Sequence, residues 1–148
     1  MKKQLTYATL IRCKQEELFD FHTDSANITK ITPPNTKVVL LNEDTTAFEG
    51  KIVHLKTTRL FIPTYWEVRI EKLSRPSMLV DLALHSPLKY WRHQHIFTKK
   101  YGSCELRDVI EYELPFGIFN PLIEPLFERD IAAMFAYRHA KTKEILES

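Results

Sequence analysis

Asp81, His93, His95 and Asp108 have the types and spacing for chemistry. The segment Trp91-Arg92-His93-Gln94-His95-Ile96-Phe97 alternates, and a strand sends successive side chains to opposite faces. Trp91, His93, His95 and Phe97 therefore share one face, and two aromatics on it argue that it points inward. Two imidazoles in an interior need hydrogen-bond partners, and the flanking segments offer Asp81 and Asp108. A carboxylate beside a histidine orients the ring and makes it more basic. Three tasks suit such a cluster. It fixes strand register as a satisfied network, it anchors the polar end of a mostly apolar ligand, or it works as a general acid or base. By ligand type His93, His95 and an Asp could also hold a metal. His-x-His on one strand lacks a third spaced ligand, however, so neither metal nor cofactor is expected. The chain contains no Ser-His-Asp order, phosphate loop or Cys-x-x-Cys.

The elements that must position these groups follow from period and turn signals. Leu5 to Cys13 alternates as a first strand, and Glu16 to Thr23 reads as a short helix. Asp24 or Ser25 caps a second short helix running to about Ile31, which Pro33-Pro34 stops. Strand-like runs follow at Lys37–Asn42, Phe48–Leu55, Tyr65–Leu73, Met78–Leu84, Tyr90–Thr98 and Ser103–Leu114. Turn signals separate them at Asn42-Glu43-Asp44, Arg75-Pro76, Ser86-Pro87 and Tyr101-Gly102. Thr57 to Thr64, with Leu60, Phe61 and Ile62, reads as an apolar loop at a cavity mouth. After Pro115 and Gly117 the period becomes helical, with Leu122, Ile123, Leu126, Phe127, Ile131, Met134, Phe135 and Arg138 recurring over more than 20 residues.

This order predicts an α+β fold: a curved antiparallel sheet, two short helices after the first strand, and a long C-terminal helix. The helix buries Ile123, Phe127, Ile131 and Met134 against the concave face, leaving a cavity wherever side chains do not fill the gap. A hairpin centred on Pro87 sets Asp81 opposite His93 and Ala83 opposite Trp91. A two-residue Tyr101-Gly102 turn sets His95 opposite Asp108, His93 opposite Ile110 and Trp91 opposite Tyr112. A four-residue turn would instead oppose His93 and Asp108. Either parity keeps Asp108, Ile110 and Tyr112 on the histidine face. Trp66 shares that inner face through its alternation with Glu67. Arg138 falls on the helical stripe, where it either turns inward toward an interior Asp or a ligand carboxylate, or snorkels out. His22, His54, His85 and His139 fall into no arrangement that spacing alone reveals.

Composition narrows the classes. The 148 residues fit one domain, able to bury roughly 70% of its unfolded surface. With 44% hydrophobic and 27% charged residues, the chain fits an ordinary soluble globular protein. A net charge of +2, without a basic run, gives no footprint for nucleic acid. No stretch approaches the roughly 20 apolar residues of a membrane span, and Gln4, Thr6, Thr9 and Arg12 interrupt any signal-peptide core. Cys13 and Cys104 make no disulfide framework, which points to a reducing cytoplasm.

Several spaced motifs together resemble the SRPBCC ligand-binding proteins of the START-like, helix-grip superfamily, which includes polyketide cyclases and the major birch pollen allergen. They are Phe19-Asp20-Phe21-His22-Thr23-Asp24, Ile31-Thr32-Pro33-Pro34, W-x-H-x-H-x-F, Asp108-x-Ile110-x-Tyr112-x-Leu114-Pro115 and Phe135-x-Tyr137-Arg138. Ser86-Pro87-Leu88 stands where Gly-Pro-Phe is usual, and Tyr101-Gly102-Ser103 where Gly-Gly-Thr is usual. The resemblance spans nearly the whole chain and implies one helix-grip domain over residues 1–148. It also implies a small hydrophobic or amphipathic ligand between sheet and helix, held by a monomer or weak dimer. Trp66, Asp81, Ala83, Trp91, His93, His95, Asp108, Ile110, Tyr112, Met134 and Arg138 are the candidate ligand-binding residues. A cyclase- or aromatase-like enzyme and an interaction module with a filled core are the alternatives.

Overall fold

The computed structural model describes residues 1–147. Strand β1 (Lys3–Ile11) leads into α1 (Gln15–Thr23) and a 3-10 segment (Ser25–Ile31). Six strands follow: β2 (Thr36–Leu40), β3 (Ile52–Arg59), β4 (Ile62–Ser74), β5 (Met78–His85), β6 (Tyr90–Lys100) and β7 (Ser103–Glu113). After a short 3-10 turn (Gly117–Phe119), α2 (Asn120–Glu147) completes the chain. The strands form one antiparallel sheet in the order β1-β7-β6-β5-β4-β3-β2. Residues 12–35 thus carry the chain from one edge of the sheet to the other. This is the expected α+β helix-grip architecture.

Local chemistry explains the boundaries. In β1, Leu5, Tyr7, Thr9 and Ile11 turn inward while their neighbours face solvent. Helix α1 buries Leu18, Phe19 and Phe21, and its first-turn Glu16 and Glu17 favour the positive end of the helix dipole. The Asp24 carboxylate caps the 3-10 segment by accepting the Ala26 N–H at 3.0 Å. Tyr101 and Gly102 both take positive φ in a two-residue turn, giving His95–Asp108, His93–Ile110 and Trp91–Tyr112 pairs. Asp81 pairs with His93, but that ladder stops at Leu82–Arg92, one step short of Ala83–Trp91. Register shifts in β4 between Glu67 and Val68 and between Ile70 and Lys72 bend the sheet.

Two expectations need correction. Thr57 to Thr64 is not a loop: β3 and β4 pair through Thr57–Thr64 and Arg59–Ile62, and only Leu60 and Phe61 turn. Both have positive φ, a conformation that hairpin turns usually assign to Asn or Gly, so the sequence gives no turn signal there. The strand expected from Phe48 begins at Ile52, because Gly50, at φ +88°, turns the chain just before it.

Helix α2 lies along β1. Lys3 meets Glu124 at 2.7 Å and the Arg12 N–H meets Glu147 at 2.8 Å. About 34 Å of helix therefore matches about 30 Å of strand. Between these clamps Tyr7 stacks on Phe135 with centroids 5.0 Å apart, and Tyr112 meets Phe127 at 4.7 Å. The expected buried stripe is shifted: Phe135, His139 and Thr142 are the buried helical residues. Phe127, Ile131 and Met134 are half-buried, and Ile123 is exposed. The C-terminal half of the helix thus meets the sheet most closely, through Phe135, His139 and Thr142.

Candidate functional site

The helix covers the β1–β7 side of the concave face, and the other side stays open. A cavity of about 710 Å³ lies between β3–β5, the 3-10 segment and α2. Leu55, Trp66 and Val68 form part of its sheet wall, and Phe127, Ile131 and Met134 part of its helix wall. Leu60 and Ile62 at the β3–β4 tip are exposed and also line it, which marks this end as the mouth. There Arg59 on β3 pairs with Asp130 on α2, one of its two contacts at 2.7 Å.

Away from the mouth the cavity meets a polar cluster. Asp108 is buried and accepts from His93 Nε2 at 2.7 Å and from His139 Nε2 at 2.5 Å. His95 Nε2 donates to Asp81 at 2.8 Å, while its Nδ1 lies 3.4 Å from Asp108 Oδ1. The His93 and His95 rings stack at 3.8 Å. The four expected groups come together as two hydrogen-bonded sets, His93–Asp108–His139 and His95–Asp81, joined by the stacked rings, with His95 Nδ1 buried and without a hydrogen-bond partner. The hydrogen bonds run diagonally across the ladder rather than between directly opposed residues, a reach open to long side chains.

Electrostatics assigns states. Burial pushes the Asp108 carboxyl up, but the hydrogen bonds from His139 and His93 and the electrostatic pull of His93 and His95 hold it well below the usual carboxylate range. An ionised carboxylate only accepts, so Nε2 carries the proton on both rings. Burial, and then neighbouring His95, lower His93 to about 4. His22 is lowered to about 4 by the same two causes, and its Nδ1 donates to the Leu18 carbonyl at 3.0 Å. His95 goes the other way: burial opposes its charge, but the Asp81 hydrogen bond and the charges of Asp81 and Asp108 outweigh burial and raise its pKa. The cluster therefore sets neutral His93 and His22 beside a readily protonated His95.

Ligand atoms of Asp81, His93 and His95 lie within 4.8 Å of one another. Both Nε2 atoms are already engaged by carboxylates, and Arg138 lies in the field of Asp81 and Asp108.

Of the expected residues, Trp66, Asp81, Trp91, His93, His95, Met134 and Arg138 line the cavity. Ala83, Asp108, Ile110 and Tyr112 do not, which corrects the idea that parity alone places them there. Ile110 and Tyr112 are fully buried beneath α2, with Ala83 packed against the same cluster. The Tyr112 hydroxyl donates to Glu128 at 3.0 Å. Asp108 sits behind the two histidines. His139 was the missed member of the network. It follows Phe135 by four residues, so helical spacing put it on the inward stripe. His22 gave no comparable signal, because its neighbour in space, His95 at 5.5 Å between centroids, is remote in sequence.

With this geometry in place, comparison with known proteins gives a consistent class. The family described as polyketide cyclase / dehydrase and lipid transport matches residues 11–136. The chain belongs to that family, within the SRPBCC helix-grip superfamily. Protein CV1439 from Chromobacterium violaceum is similar in structure at TM-score 0.77 and 10% identity, covering 98% of this chain and 97% of that one. Protein Ms6760 from Mycobacterium smegmatis gives 0.75 at 13% identity, covering 97% and 90%. Ara h 8.0201 gives 0.69 at 7% identity, covering 96% and 98%. At such identities the likeness is one of fold. No curated protein matches the sequence.

Proposed function

We propose that this protein binds one small apolar or amphipathic molecule between the sheet and α2. The observation that carries this reading is the cavity itself. At about 710 Å³ it falls in the range of roughly 300–1,000 Å³ typical of pockets for drug-sized ligands. Its walls carry many apolar side chains, with Asp81, His93, His95 and Arg138 grouped at one end and the Arg59–Asp130 pair at the mouth. The family's lipid-transport description supports the same reading. A filled-core interaction module fits poorly with so large an opening. The two free cysteines suit work in a reducing cytoplasm, as a monomer or weak dimer.

Proton-transfer catalysis is the second reading, favoured by one observation: His95 lines the cavity with a carboxylate partner and a raised pKa. Such a group holds a proton more readily than an ordinary histidine and can pass it to a bound molecule. Native mass spectrometry of protein purified from its own cells tests the first reading. The expected spectrum contains a species heavier than the 17.5 kDa chain that loses its extra mass on denaturation. A bare chain that also takes up no added apolar compound argues against binding.

A further inference from the structure

The charged groups of the site differ in one respect. Asp108 holds His93 and His139, Asp81 holds His95, and Arg59 holds Asp130. Arg138 lines the cavity and, among the described residues, pairs with no carboxylate. Its Nε is buried without a hydrogen-bond partner, and its guanidinium lies 5.5 Å from the Phe135 ring. A charge taken from water is costly unless paired, and a guanidinium does not shed its proton. Asp81 and Asp108 draw it toward the cluster by their field, but both already have histidine partners. An adjoining void of about 20 Å³ has room for about one water. Such a water could serve Nε without neutralising the charge.

We propose that Arg138 anchors the carboxylate of an amphipathic acid whose apolar body fills the cavity. This rests on the ligand-binding reading above and names the ligand's polar end. The guanidinium fork matches a carboxylate in shape and charge. The apolar remainder of such an acid would run past Trp66, Val68 and Leu55 toward the mouth, where Leu60 and Ile62 lie. The acid end thus sits at the polar cluster and the hydrocarbon end near solvent. A neutral lipid would leave the guanidinium unpaired.

The test uses the intact protein, a neutral naphthylamine probe in the cavity, and displacement by dodecanoic acid or dodecan-1-ol above the acid's own pKa. The two share a hydrocarbon chain and differ in the charged end. The acid is expected to bind about tenfold tighter or better. Arg138→Met should remove that preference while changing alcohol affinity by less than about threefold, and Arg138→Lys should keep part of it. Equal affinities in the wild type would overturn the anion anchor and leave ligand binding standing. A preference that survives in a folded Arg138→Met would overturn it as well. If Arg138→Met does not fold, the wild-type comparison and the neutral, polar Arg138→Gln decide, loss of the preference in a folded Arg138→Gln counting for the anchor and full retention against it. Failure of the probe and both compounds to bind would overturn the proposal and the ligand-binding reading together.

Discussion

The half of the concave face under α2 and the half facing the cavity are built from the same alternating strands, yet they are finished differently. Under the helix, Ile110, Tyr112, Leu114 and Phe135 are almost completely buried. Across the sheet, Leu55, Trp66 and Val68 point to the same side but stay partly accessible through the cavity. The difference lies in what covers each half. Two ion pairs clamp α2 along β1, and the short 3-10 segment opposite leaves a gap. Parity tells which face a side chain takes, and coverage tells whether that face is core or pocket. The polar network sits at the seam, with Asp108 and His139 buried on the helix side and His93 and His95 also reaching the cavity wall.

The sharpest way to break this contrast is truncation on each side of the seam. Phe135→Ala should cost about 3–5 kcal/mol, as a fully buried ring does. Ile131→Ala, one turn away on the cavity wall, should cost about 1–2 kcal/mol, since part of that side chain faces an existing space. Urea melts measure both, and equal losses would erase the distinction between core and pocket.

The seam itself gives the next effect. Asp108→Ala strands two buried imidazoles and should cost about 3 kcal/mol. Combined with His139→Ala it should cost less than the two single losses added, by about 0.5–3 kcal/mol. Strict additivity in that cycle would mean that the hydrogen bond between them contributes nothing.

Acid reads the same seam through the histidines. His93 and His22 are held to about 4 in the fold, against 6.5 for an ordinary histidine. Below 6.5 the unfolded chain takes up protons that the folded rings refuse, so their contribution is intact above 6.5 and is lost as pH falls toward 4. His95 has the opposite sign. Its raised pKa stabilises the fold below 6.5, and that gain is lost as pH rises through its folded value. With two rings against one, the urea midpoint should drop between pH 6.5 and 4, and His22→Gln should flatten the drop. A midpoint that holds or rises over this window contradicts neutral, buried His93 and His22.

The smallest effect belongs to the mouth. Arg59→Ala removes an exposed pair and should change stability by less than about 1 kcal/mol. It should speed probe release measured by stopped flow, because Arg59 and Asp130 link the β3–β4 hairpin to α2. An unchanged release rate would show that the pair does not restrain the opening.

Much of this was legible before the structure. Alternation in Trp91–Phe97 put both histidines on the inner face, and either length of turn at Tyr101-Gly102 kept Asp108 on that face, the structure selecting the two-residue one. The change of period after Gly117 located α2. Three things were not readable. The roll of α2 is set by contacts remote in sequence, such as Tyr7–Phe135, Asp108–His139, Lys3–Glu124 and Arg12–Glu147. The Leu60-Phe61 turn breaks the usual residue preference for positive φ. Which of the inward residues meet open space follows from coverage, so Ala83, Ile110 and Tyr112 read as pocket and proved to be covered.

The central claim, that the uncovered half of the sheet holds a ligand, meets its most direct test in a fluorescence titration with a neutral naphthylamine probe. Wild-type protein should bind one equivalent saturably and quench Trp66 and Trp91 as it does so. Val68→Trp, which fills the wall beside them, should weaken binding about tenfold or more, or abolish it. Absence of saturable binding to the folded wild type, or unchanged affinity in a folded Val68→Trp, would contradict the account.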